Sequence, residues 1–150
     1  MSRYPIWWDS TITLYNRYED PVTQLVTWYR TVLSDCFWKT NIMTVYDSSS
    51  AIRSYTNSII CRIPKNDDYY SPYEWKRFDA MTRSNSFTLQ NGDIVINGEV
   101  DDEINEYVKG QRSSDLVEHY KDLGVIRIET IADNSDELRN IPHYLVSQGI

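Results

Sequence analysis

The stretch NGDIVINGEV, residues 91–100, holds two Asn-Gly pairs that are separated by only four residues. Asn-Gly favours tight hairpin turns because both residues tolerate positive φ. The two turns therefore predict a very short strand, DIVI, inside a meander that begins with FTLQ at residues 87–90. No cluster of chemical groups accompanies the turns in the sequence. We interpret them as two corners of a small β-barrel and not as a ligand loop.

Strand patterns recur on both sides of this stretch. Apolar and polar residues alternate from Thr11 to Tyr18, and the run from Leu25 to Trp38 is rich in β-branched and aromatic residues. These two segments predict a hairpin with a loop at residues 19–24, and the second is one long strand or two strands with a bulge near Ser34-Asp35. Further strands are predicted over Ile42–Tyr46, 55–64, 125–133 and 141–148, with a Ser-rich loop at 47–50.

Two helices are predicted between the strands. Ser71 can cap a short helix over Tyr73–Met81 with Pro72 at its first position. Residues 114–124 form the strongest helical pattern, with Ser114 as N-cap and Gly124 at the end. About seven short strands and these helices predict a mainly β fold, a small antiparallel β-barrel or sandwich, in one domain over residues 1–150.

Composition limits the classes of function. The 150 residues carry 15 basic and 22 acidic side chains, a net charge of −7. An acidic chain without a basic run is a poor candidate for gripping a phosphate backbone. No apolar run approaches the roughly 20 residues that span a membrane, and the first ten residues lack the apolar region of a secretory signal. We expect folding in a cytoplasm, with Cys36 and Cys61 as buried, reduced thiols.

Signals for catalysis or metal binding are weak. His119 and His143 lack partners at metal-ligand spacing. The acidic run of residues 101–106 lacks the calcium-loop pattern, so we interpret it as a solvated edge. Nucleophile and phosphate-loop motifs are missing. We expect no catalytic residue, no cofactor and no metal.

Aromatic residues are the unusual part of the composition, with 12 Tyr and 5 Trp. Such residues are enriched in interface cores, and they also pack sheets. A barrel with exposed aromatics is also compatible with binding single-stranded nucleic acid or another ligand. Basic and aromatic residues interleave only in TWYRTV and EWKRF, both with acidic neighbours. This binding barrel stays open as the alternative function.

The order of segments resembles a known family. It runs from WWDSTITLYNRYEDPVTQLVTWYRTVLSDCFWK (7–39) through SIICRIP (58–64) and FTLQNGDIVINGEV (87–100) to VIRIETIADNSDELRNIPHYLVSQG (125–149). This pattern resembles the neck or connector proteins of tailed bacteriophages, which are head-closure, head-tail joining or minor capsid proteins. The strand ITLYN precedes one that carries TWY. The closing motif of that family matches Asp133, Asn134, Pro142, His143, Tyr144, Val146 and Gly149.

The resemblance implies a structural virion protein without a reaction. Identical subunits would form a homo-oligomeric ring in the neck, between portal or adaptor and tail, after assembly in the host cytoplasm. DNA would pass through the ring without sequence-specific binding, and an acidic lumen would repel its phosphates. Adaptor, stopper and tail-completion roles all remain open.

Aromatic residues cluster in the irregular segment of residues 65–85. We predict Tyr69, Tyr70, Tyr73 and Trp75 as the partner-facing residues. The alternative is that Trp75 and Phe78 only fasten a short helix to the barrel.

Overall fold

Alternating apolar residues place the first strand where the sequence predicts it. In a computed structural model, which describes residues 5–47, 52–136 and 141–149, strand β1 (Ser10–Glu19) pairs antiparallel with β2 (Val26–Asp47). The chain continues through β3 (Ile52–Pro64), helices α1 (Pro72–Lys76) and α2 (Ala80–Ser84), β4 (Ile94–Asn97) and α3 (Ser113–His119). It ends with β5 (Val125–Arg127), β6 (Thr130–Asn134) and β7 (His143–Gly149).

The seven described strands form one antiparallel sheet in the order β5-β4-β1-β2-β3-β7-β6. Its two outermost strands, β5 and β6, are consecutive in the chain and are joined by only Ile128 and Glu129. A two-residue link cannot cross a flat sheet of seven strands, because strands are spaced by nearly 5 Å. The sheet therefore curls into a half-barrel, and the mainly β barrel-like fold predicted from the sequence is confirmed.

Alternate residues of the sheet pack into two separate clusters. The inner cluster is on the concave face and is closed by Phe87 and Leu89 from the segment before β4. Its strand residues include Ile12, Leu14, Leu33, Cys36, Cys61, Val95, Ile126 and Val146. The outer cluster combines Tyr15, Ile94 and Ile96 with residues from α3 and the segment before it, Val100, Ile104 and Leu116.

Strand β2 is one continuous strand of 22 residues. Its register with β1 shifts between the pairs Ser10–Cys36 and Ile12–Leu33, and Asp35 has φ 57°. This irregularity is the bulge predicted near Ser34-Asp35. The separate strand predicted at Ile42–Tyr46 is part of β2. Residues 48–50 of the predicted Ser-rich loop lie outside the described residues.

The stretch of the two Asn-Gly pairs contains the short strand β4, but it is not a meander. β4 pairs with β1 on one side and β5 on the other, and FTLQ forms only a single bridge, from Phe87 to Tyr69. Gly92 has φ 92° and Gly98 has φ 137°, whereas Asn91 and Asn97 do not have positive φ, so the glycine alone of each pair supplies the left-handed conformation. The prediction of two corners holds. The prediction that FTLQ pairs beside DIVI is wrong, because Phe87 and Leu89 enter the inner cluster instead.

Helix positions agree with the sequence better than their caps and lengths do. Ser71 accepts the Glu74 N–H as predicted, but the helix ends at Lys76 and a second one, capped by Asp79, starts at Ala80. In α3 the predicted cap Ser114 lies inside the helix. Asp115 accepts the Arg112 N–H and Glu106 accepts the Ser113 N–H, at 3.1 and 2.6 Å.

Candidate functional site

The four aromatic residues predicted to face a partner lie at different depths. Tyr73 is 71% exposed and Tyr70 sits at the surface, with its ring 4.8 Å from that of Phe78. Tyr69 is half-buried against the inner cluster and lies 4.2 Å from the Tyr144 ring. Burial, with Tyr144 and Asp133 nearby, raises the Tyr69 pKa. Tyr69 therefore presents little of its ring, whereas Tyr70 and Tyr73 are accessible.

Trp75 corrects the prediction of a partner-facing residue, because it is completely buried. Its ring meets Tyr18 and Tyr29 edge-on, at 6.1 and 5.5 Å between centroids. The Arg83 guanidinium lies 3.8 Å above the Tyr18 ring, and Arg83 donates to the Phe78 carbonyl. Such a buried cation over aromatic faces holds α1 and α2 on the sheet. The alternative that Trp75 fastens a short helix to the barrel is what its packing supports.

Exposed apolar side chains gather where β1 turns into β2. Val22 is 89% exposed, and Leu25 in the same turn is also exposed. The Tyr107 hydroxyl accepts the Val26 N–H at 2.8 Å, which fixes this exposed ring beside the turn. Tyr18 and Tyr29, which carry α1 and α2, are close to the turn in sequence. We call this end of the molecule the turn-end surface: Val22, Leu25 and Tyr107 are exposed at the turn, and Tyr73 and Met81 are exposed on the two helices that Tyr18 and Tyr29 carry.

The acidic run of residues 101–106 packs on the outer cluster as a structured edge. The backbone carbonyl of Asp102 accepts a hydrogen bond from the Tyr15 hydroxyl, and its carboxylate accepts one from the Tyr120 hydroxyl, each at 2.6 Å. Burial raises the Tyr15 pKa to about 12, so Tyr15 remains a neutral donor. Asp101 is exposed and pairs with Arg30 at 3.3 Å. The acidic groups surround no enclosed cation site in this segment.

A groove of about 390 Å³ lies between this acidic segment and β2, and it contains the TWYR residues. Trp28, Tyr29 and Arg30 line it together with Glu103. Arg30 is already engaged, because its Nε donates to the Val100 carbonyl at 2.6 Å and its terminal nitrogen pairs with Asp101. Arg30, the cation that lines the groove, is therefore already paired, and the groove is poorly suited to phosphate.

A buried polar network lies directly beside the first Asn-Gly turn. Asp93 is completely buried and accepts hydrogen bonds from Asn16 Nδ2 at 2.7 Å and the backbone N–H of Arg17 and Gln90. Asn16 also bonds both backbone groups of Thr88. Burial raises the Asp93 pKa to about 6 against the lowering effect of these bonds. The network ties β1 to the turn, and the Asp93 side chain has no exposed surface, so we interpret its role as structural.

The remaining reactive groups are dispersed. His119 is exposed on α3, and His143 is oriented by the Ile141 carbonyl and Asn134. Cys36 and Cys61 are both buried and free, and a mutual hydrogen bond together with burial raises the Cys61 pKa. Among residues 5–47, 52–136 and 141–149, no group of three or more His, Cys, Asp or Glu side chains could hold a metal ion. Within the same ranges no helix has the length and apolar character to cross a bilayer.

Sequence reasoning missed part of the exposed surface. The sequence assigns Val22 to a connecting loop and Leu25 to the start of the following strand, and it gives Tyr107 no role. A signal was present, because aliphatic residues such as Val22 and the adjoining Leu25 are unusual in and beside a solvated hairpin loop. The contact between Tyr107 and Val26 joins parts of the chain that are far apart in sequence, so spacing could not reveal it.

Comparison with known proteins gives a family but no activity. No curated protein and no solved structure matches the chain. The model of a family of unknown function, DUF6751, matches residues 7–148, which is nearly the entire sequence and includes every strand described above except the last residue of β7. The chain therefore belongs to the DUF6751 family.

Proposed function

We propose that this protein is a structural subunit of a tailed-bacteriophage virion, part of an oligomeric ring at the head-tail junction. The observation that carries the proposal is the turn-end surface, where large apolar side chains are exposed together at one end of a barrel. Exposed apolar clusters of this kind mark protein–protein contacts. In this role the surface docks on a portal, adaptor or tail protein.

The closing motif of the family resemblance also has a physical role in the fold. Asp133 pairs with Tyr144 and Asn134 with His143 in the β6–β7 hairpin. Tyr144 and Val146 enter the inner cluster. These residues close the half-barrel, so the motif supports a shared scaffold with the connector proteins and does not point to a reaction.

The charge of the molecule suits a conduit for DNA. The net charge of −7 and the exposed acids of residues 99–106 disfavour lasting contact with phosphates. The alternative function, a barrel that binds single-stranded nucleic acid or a ligand, would use the TWYR groove. It is less well supported because Arg30 is paired with Asp101.

Reconstitution with the portal or tail-tube protein encoded in the same genome tests the proposal. We expect the purified chain to bind that complex and to form ring density at the neck in electron micrographs. Tyr73→Ala combined with Leu25→Ala should weaken binding at least about 30-fold, since truncation of a single hot-spot residue already costs about 2 kcal/mol. Leu123→Ala, which removes an exposed apolar side chain from outside the turn-end surface, serves as the control.

Binding to an oligonucleotide with a steep dependence on salt would instead favour the binding barrel. Failure to bind any neck component, with the chain folded, would remove the structural proposal.

A further inference from the structure

The β2–β3 hairpin extends beyond the strands that flank it. The pairing of β1 with β2 ends at Cys36, and the pairing of β7 with β3 ends at Ser58. Beyond both points, and within residues 5–47, 52–136 and 141–149, Ile42–Asp47 pairs only with Ile52–Asn57, in six residue pairs. We call these residues the arm. At about 3.3 Å per residue it is a ribbon roughly 20 Å long, and an isolated two-stranded ribbon is only marginally stable in water.

The arm has open strand edges without the usual protection. Natural edge strands carry charges, proline or bulges that prevent pairing with another chain. Residues 40–46, TNIMTVY, contain no charge, proline or glycine and are rich in residues that favour strands. Across its twelve residues the arm has one acid, Asp47, and one base, Arg53. The arm is therefore a neutral element that favours strand pairing, on a chain whose net charge is −7. We expect a further strand to pair with its open edge.

Strand β6 offers a second open edge of similar length. It pairs with β7 on one side only and is the last strand of the described sheet. Thr130, Ile131, Ala132 and Asp133 are exposed, and only Asp133 is charged. At the opposite end of the sheet the β5 edge is partly occupied, because the Arg127 N–H donates to the Gln148 side chain.

The two edges cannot meet within one molecule. β7 lies between β3 and β6 along residues 60–64 of β3, it still pairs with β3 at Ile59 and Ser58, and the arm begins beyond that point. Two different surfaces that meet between copies form a head-to-tail contact, which propagates around a ring when the rotation closes.

We propose that the arm of one subunit adds its open edge to β6 of the next copy of the same chain. This contact rests on the ring proposed above and assigns its subunit interface. It uses main-chain hydrogen bonds for affinity, as in other cases of strand addition, and it leaves the turn-end surface free to dock on another protein.

Thiol cross-linking tests the contact directly, because the native cysteines are buried. Thr44→Cys in the arm and Ala132→Cys in β6 are combined, and concentrated protein is treated with a short thiol-reactive cross-linker that tolerates small register differences. The double variant should give a ladder of oligomers in which mass spectrometry finds arm-to-β6 peptides. Neither single variant should give a ladder.

Three outcomes would overturn the contact. The first is a double variant without cross-links, and the second is dimers from Thr44→Cys alone, which would indicate arm-to-arm pairing. The third is unchanged sedimentation of Ala132→Lys, in which a charge on the edge should lower self-association at least tenfold.

Val22→Lys is the matched control, since it adds the same charge at the turn-end surface and should self-associate normally. Self-association without binding to a neck component would refute the proposed function alone. Binding to a neck component without self-association would refute only the arm contact.

Discussion

Asp93 is the residue whose ionisation should be visible in the stability of the protein. Burial raises its pKa from 3.8 to about 6. Because the pKa is higher in the folded state, the folded protein holds the Asp93 proton more tightly than the unfolded chain does. The protonated carboxyl therefore contributes fully to the free energy of unfolding below about pH 4, and this contribution is lost as the pH rises through about 6. Relative to Asp93→Asn, which cannot titrate, the wild type should lose about 2 kcal/mol between about pH 4 and pH 7.

Urea unfolding of both proteins at several pH values measures this difference. A difference that rises with pH would show that the hydrogen bonds from Asn16, Arg17 and Gln90 outweigh desolvation at this carboxylate.

Single residues also show where sequence reasoning stops. Cys36 and Cys61 each lie in an apolar run of the sequence, and the prediction that both are buried, free thiols is confirmed. Trp75 was predicted at the surface because it lies with other aromatic residues in an irregular segment, yet it is buried against Tyr18 and Tyr29. Its burial depends on residues more than 40 positions away, and no local pattern contains that information. Tyr73, on the same short helix, is exposed.

The turns that bound β4 and β5 differ in how closely the sheet approaches them. Gly124 has φ 114°, and a Cβ there would lie 3.1 Å from the Trp38 ring and 3.3 Å from Asn97 Cβ. Gly92 has φ 92° and open space around it. Both alanine variants incur the cost of positive φ, about 1 kcal/mol. Gly124→Ala should lose at least about 1 kcal/mol more than Gly92→Ala, because overpacking adds to that cost.

Chemical denaturation of the two variants compares these free energies of unfolding. Equal losses would mean that Trp38 moves aside without cost.

Strand β4 is buried on both faces, which makes it the least tolerant strand of the sheet. Ile94 and Ile96 enter the outer cluster and Val95 the inner one, all without exposure. A charge at Ile94 would have no partner, at a cost of several kcal/mol. Ile94→Asp should therefore fail to fold, as judged by circular dichroism and solubility. Ile131→Asp, on the exposed edge strand β6, should fold, and a soluble, cooperatively melting Ile94→Asp would contradict this placement.

Element types were predictable from the sequence where periodicity is strong, as in β1, β3 and β7. The predicted strand boundaries were wrong where a tertiary contact determines where a strand ends. β2 continues past Trp38 because β3 pairs with it as far as Asp47. The predicted strand 125–133 divides at Ile128 and Glu129, because the chain there crosses from one edge of the sheet to the other. Residues 137–140, between the last two predicted strands, lie outside the described ranges.

The whole molecule is organised by the closure of its sheet, which the sequence left open as a barrel or a sandwich. The pairing partners of β5 and β6 are set by contacts between distant segments, so only the structure distinguishes a barrel from a sandwich. One consequence is that the inner and outer clusters share β1 and β4 and cannot separate without breaking the same strands. Candidate surfaces were less predictable than the fold, since exposure depends on this closure.

We expect the described fold to unfold in a single cooperative transition, because both clusters depend on β1 and β4. Tryptophan fluorescence and the reactivity of Cys36 and Cys61 with a thiol reagent should change at the same urea concentration. Fluorescence reports on all five tryptophans, including Trp75 in α1 and Trp38 beside the inner cluster, whereas thiol reactivity reports on the inner cluster alone, so the two probes sample different sets of contacts. Cys36→Ser, which leaves Cys61 as the only thiol, controls for reagent access. Thiol labelling well below the fluorescence midpoint would show that β3 and β7 separate first, and the molecule would then consist of two units.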